Sequence, residues 1–173
     1  MTENKEINEG APILKRFMII IMAIFLLFLV TSYILLGYPV FPILESLSES
    51  NLADNKTIFL EEFSIIFLGD TYRSLQSYYN QDLSVEMVVC LKGNINGDYI
   101  INEVYQPNII EQTFNHVTFM PCSEDTIILL HSHPFRHCIA SQQDLFTLDS
   151  IKEKNSNSLM VIMCESDRFS IYK

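Results

Sequence analysis

Residues 17–36 carry no charged side chain and are built largely of Ile, Leu, Phe and Met. A run of that kind has few fates. A helix packed on a soluble core should keep a polar face, and this one has none of any width. About 20 residues at helical rise cross a hydrocarbon core of ~30 Å. The segment is therefore expected to be one transmembrane helix over 17–37, with the lipid bilayer as its partner through residues 17–36. Lys15 and Arg16 stand at one end and Tyr33 and Tyr38 near the other, where interfacial anchors belong. A cleaved signal peptide is the competing reading. Its apolar region would be shorter, and no small-x-small cleavage site follows.

The anchor divides the chain. Residues 1–16 form a polar tail of mixed charge. Gly37, Pro39 and Pro42 break the helix, and residues 38–56 read as a stalk rich in Ser, Asn, Glu and Asp. Residues 57–173 remain for one modest domain. A net charge of −10 without any basic run argues against a nucleic-acid partner. Lys5, Lys15 and Arg16 precede the anchor, and the next basic residue is Lys56. The positive-inside rule weighs basic residues and gives little weight to acids, so it puts the N-terminus in the cytoplasm and the domain outside.

Within the domain, short strands are expected at 57–60 and 64–68. Asp70 is placed to cap a helix to about residue 80, with Tyr72, Leu75 and Tyr79 on one side. A strand over 86–91, the turn signal at Asn96 and Gly97, and a return strand over 99–105 make a hairpin. A strand at 117–119, a buried strand at 126–130, a helix over about 141–154, and strands at 159–164 and 169–172 follow. Periodicity alone gives mixed α and β.

The buried strand runs out into His131, Ser132, His133 and Pro134. Period-2 geometry puts both imidazoles on one face. Ser141 sits where a helix would be capped, and an acid at Asp144 suits the dipole of its first turn. That helix start can return Asp144 toward the histidine pair. Two imidazoles and a carboxylate suit a catalytic zinc, which keeps three protein ligands and leaves the fourth position open. Neither a CxxC nor an HExxH pattern occurs anywhere, so zinc-finger and HExxH metalloprotease readings are absent. The plain alternative is a hydrogen-bonded histidine pair beside an ordinary capped helix.

The spacing His131-x-His133-Pro134, six residues, Ser141, two residues, Asp144 resembles the signature of the JAMM (MPN, JAB-type) metalloproteases. That family also carries a glutamate on an upstream strand and a glycine seven residues later, matched here by Glu86 and Gly93. Cys138, three before Ser141, is common in the family as well. Val89 and Ala140 depart from the glycine and proline often found at those places. The resemblance covers roughly residues 58–173. It implies an α/β fold similar to cytidine deaminases, a mixed sheet flanked by helices. It implies zinc held by His131, His133 and Asp144, Glu86 as general base, and Ser141 as donor to the developing oxyanion. The best-known members remove ubiquitin or ubiquitin-like proteins from isopeptide linkages, so the implied partner is a ubiquitin-like protein or its conjugate. Such conjugates are usually intracellular, which pulls against the charge bias. A silent scaffold, or a hydrolase of a sulfur-carrier protein or cell-wall peptide, are the other readings. Specificity would come from loops, from an insert such as residues 106–121, or from a partner.

His137 matches no motif position and is read as a loop residue that touches substrate; His116 carries no signal. Cys90 and Cys164 lie in apolar strand runs and read as small buried residues. In an oxidising space the four cysteines would allow three pairings.

Overall fold

The computed structural model describes residues 10–37, 48–114, 116–133 and 137–173. The chain falls into two compact units, Met1–Phe41 and Pro42–Lys173. The first holds helix α1, Gly10–Gly37. Within it the span Ile13–Gly37 holds an 18-residue window of mean hydropathy 2.9 and is long and apolar enough to cross a membrane. At helical rise its 25 residues reach about 37 Å, more than a ~30 Å hydrocarbon core. Their side chains are exposed nearly all round. The Thr31 hydroxyl donates to the Leu27 carbonyl at 2.9 Å, which satisfies it inside the helix. The helix takes in residues 10–16, which were assigned to the polar tail. Residues 1–9 of that tail and 38–47 of the stalk lie outside the described residues.

The second unit is a barrel. Its strands are β1 (Asn51–Asp54), β2 (Thr57–Phe59), β3 (Ser64–Phe67), β4 (Val88–Asn96), β5 (Asp98–Tyr105), β8 (Thr126–Ser132), β9 (Leu159–Glu165) and β10 (Arg168–Tyr172). They close in the order β1-β10-β9-β8-β4-β5-β3-β2, while β6 (Ile109–Gln112) and β7 (Val117–Phe119) form a separate two-stranded sheet. Helix α2 is Thr71–Gln81 and helix α3 is Gln142–Lys152.

This corrects the expected fold. An open mixed sheet flanked by helices, as in cytidine deaminases, would have two free edges. Here a hairpin spans them. β1 pairs with β10 (Asn51↔Phe169), β2 pairs with β3 (Ile58↔Ile65), and β1 and β2 pair with each other (Ala53↔Ile58). Asn55 and Lys56 make the connecting turn with positive φ of 44° and 68°, the conformation a tight two-residue hairpin needs. Closure removes the edges and with them the need for cover. It also brings residues 51–56, expected in the stalk, into the barrel.

The barrel is filled by Ile58, Ile65, Leu91, Ile128, Leu130, Val161 and Phe169, with Leu75 of α2 buried among them. Tyr72 and Tyr79 of α2 pack against that core as its helical spacing predicts. Asp70 takes the cap position but makes no side-chain cap bond; it pairs with Arg73 at 3.5 Å. A second core lies outside the wall. Val88, Leu129 and Met160 come from three adjacent strands and meet Leu148 and Ile151 of α3 and Val117 and Phe119 of β7. Register ties them: Val88 pairs with His131, Cys90 with Leu129, and Leu129 with Met160. By the two-residue period, His131, Cys90 and Cys164 share this outer face.

Candidate metal centre

The metal-ligand candidates stand at the end of that outer core. β8 is straight through Ser132, so His131 leaves it on the same face as Leu129, and His133 follows two residues later. Both rings are buried, at 5% and 9% exposure. Ser141 caps α3 by accepting from the Asp144 N–H at 3.2 Å, and the Asp144 carboxylate accepts in turn from the Ser141 N–H at 2.7 Å. This capping box fixes the first turn of α3. It also turns the carboxylate onto the two rings.

His131 Nε2 and His133 Nε2 are 3.1 Å apart. Asp144 Oδ1 lies 3.2 Å from His131 Nε2, and Oδ2 lies 3.3 Å from His133 Nε2. A tetrahedral zinc with ligands at 2.0–2.1 Å has edges of about 3.3–3.4 Å between them. The two imidazole nitrogens stand close to such an edge, the carboxylate turns one oxygen to each ring, and the three side chains together could hold a metal ion. Burial alone would raise the Asp144 carboxyl. Hydrogen bonds from His131 and His133, the His131 charge and the bond from Ser141 outweigh it and hold the group well below the usual carboxylate range.

A cleft of about 340 Å³ opens on this face, lined by Glu86, Val88, Phe114, Phe119, His137 and Ser141 as well as the triad. Glu86 was expected on a strand over 86–91, but β4 begins only at Val88. The half-buried carboxyl of Glu86 is pushed up by desolvation, against the lowering charges of His133 and His131. His137 stacks on His133 with centroids 5.8 Å apart and planes 22° apart; burial and His133 lower its pKa. His116, which carried no sequence signal, also lines the cleft, and its Nε2 lies 2.9 Å from the Thr118 hydroxyl. Residues 134–136, including Pro134, lie outside the described residues.

No family model and no curated protein matches this chain. The site is therefore read from its own geometry and from the motif it resembles.

Two features escaped the sequence. All four cysteines are paired: Cys90 with Cys122 and Cys138 with Cys164, at Cα separations of 6.0 and 5.1 Å. Cys90 and Cys164 are fully buried, as read, but they are staples as well as fillers. One ties the segment after β7 to the wall and the other ties the loop before α3 to it. The second feature is Tyr172, whose hydroxyl accepts from the Ala140 N–H at 2.9 Å and donates to the Cys138 carbonyl at 3.3 Å. Only the outward period of Cys90 and Cys164 could have hinted at the staples, and nothing local marks Tyr172.

Proposed function

We propose that this chain is a membrane-anchored, zinc-dependent hydrolase of JAMM type that cleaves a peptide or isopeptide bond. One observation carries the reading. Two buried imidazoles and a carboxylate that could together hold a metal ion share a cleft with a half-buried carboxylate at Glu86 that is not itself one of them. Two imidazoles and a carboxylate are the donors of catalytic zinc sites. Zinc bound there would polarise the scissile carbonyl and bring the pKa of a bound water to about 7. Glu86 takes the proton of the attacking water on its carboxylate and returns it to the leaving amine; its raised pKa suits both steps. Ser141 has a second role open to it. A hydroxyl has two lone pairs and one donor. Capping α3 uses a lone pair, so the O–H remains to donate to the developing oxyanion.

The domain belongs on the oxidising side of the membrane in this reading. Two disulfides are at home in such compartments and rare in the cytosol, and the basic residues on the N-terminal side of the apolar run agree. That placement favours a peptide or isopeptide met outside the cytoplasm over an intracellular ubiquitin-like conjugate.

The test uses the whole chain in detergent micelles. Elemental analysis should find about one zinc per chain in the wild type and none in His131→Ala with Asp144→Ala. The loaded chain is offered a mixture of quenched-fluorescent peptides and a ubiquitin–peptide fusion. Glu86→Gln should keep zinc and lose roughly 10²–10⁴-fold in rate. Zinc retained in the double variant overturns the ligand set. A loaded wild type that cleaves neither probe would leave the chain as a metal-holding scaffold.

A further inference from the structure

Glu86 lies just beyond the end of its strand, and the barrel alone does not hold it. β5 pairs with β4 only as far as Cys90↔Tyr105, and β4 itself starts at Val88. Met87 is held from the β8 side. Its N–H donates to the Ser132 hydroxyl at 2.9 Å, and its carbonyl accepts from the Ser132 N–H at 2.8 Å. In an extended chain successive peptide groups point to alternate sides. The N–H and carbonyl of Glu86 therefore point the other way, into the space β5 has left. The β6–β7 sheet supplies the partners there. The Glu86 N–H donates to the Thr113 carbonyl at 3.0 Å, and the Gln112 side-chain amide donates to the Glu86 carbonyl at 2.6 Å. A side chain takes the place of the backbone donor that a regular ladder would use. Gln112 is otherwise exposed.

We infer that Gln112 is a positioning residue: with the Thr113 carbonyl, it fixes the backbone of Glu86 and aims its carboxylate into the cleft. The inference rests on the reading of Glu86 as the base. With both peptide groups held, the Glu86 side chain falls on the face of Val88, whose partner across the ladder is His131. Without the Gln112 bond this chain end frays. A misplacement of about 1 Å is enough to cost on the order of 10²-fold in rate.

The test compares Gln112→Met, which keeps length and loses the donor, with Glu86→Gln and with the two combined. All are made in the full chain in detergent micelles. Gln112 covers no core, so metal content and melting temperature should not change. The first readout needs no substrate. The chain is loaded with cobalt, and its visible spectrum is followed across neutral pH. Glu86→Gln should move the spectral midpoint, Gln112→Met should move it the same way by less, and the combination should match Glu86→Gln. In hydrolysis of the peptide mixture, Gln112→Met should lower kcat roughly 10- to 10²-fold with KM unchanged. If Glu86→Gln moves the midpoint and Gln112→Met matches the wild type, the inference falls and the reading of Glu86 stands. If Gln112→Met still has its full effect in the Glu86→Gln background, it acts by another route and the inference falls. If Glu86→Gln leaves both spectrum and rate unchanged, the reading of Glu86 falls and takes the inference with it.

Discussion

Asp144 has two duties that a single substitution separates. It closes the capping box of α3 and turns its two oxygens on His131 and His133. An amide at this position keeps the cap acceptor and loses the charge, so Asp144→Asn should lower metal affinity more than it lowers the melting temperature of the metal-free chain. Titration with a chromophoric chelator beside thermal unfolding separates the two. Ser141→Ala removes the cap acceptor and should cost about 1 kcal/mol of stability, the usual loss at such caps, with the ligands intact. Gly93 shows a different constraint. It sits where the β4–β5 register shifts, and a Cβ there would run into the Ile100 carbonyl. The neighbour is backbone, so it cannot move aside. Gly93→Ala should cost about 3 kcal/mol, the upper end of overpacking penalties, read as a lower unfolding midpoint. The glycine at this position therefore has a structural cause: it lets β5 close on β4.

The two staples act on elements. Cys90–Cys122 holds the exit of β7 and Cys138–Cys164 holds the loop before α3, so the walls of the cleft are tied to β4 and β9 on either side of the triad. Replacing Cys90 and Cys122 together by Ala should cost about 2–4 kcal/mol while leaving the barrel's circular dichroism unchanged. Denaturant unfolding measures this, and reductant, which opens both disulfides, should take the wild type to a lower midpoint still. The elements that carry the triad were legible because their signals are local: an apolar run before His131, a capping serine, an acid three residues on. The β4–β5 hairpin was legible through Asn96 and Gly97, where Gly97 takes a φ of 76°. β1 was not, because its four residues Asn51–Asp54 are half-buried and exposed in turn and hold no apolar run. One of its two partner strands lies more than a hundred residues away, at Phe169. The pairing of the cysteines is a property of the closed wall, and no short window contains it.

At the scale of the whole molecule the questions are sidedness and assembly. Lys5, Lys15 and Arg16 on the N-terminal side of the apolar run and the two disulfides after it both support the proposed placement of the domain outside the cytoplasm. Protease added to intact cells should remove an epitope placed after Lys173; protection until lysis would put the domain inside. A polyethylene-glycol maleimide should label the purified chain only after reduction and unfolding, with four additions. Barrel closure has a further consequence, for the order of folding. The triad lies within residues 131–144, and the pair that shuts the wall joins Asn51 to Phe169. Short-range contacts form early, and long-range strand pairing is slow because loop-closure entropy must be met first. Contacts within residues 131–144 can therefore form before the wall is finished. The last of the barrel strands, β10, both closes the barrel and delivers Tyr172 to the loop before α3.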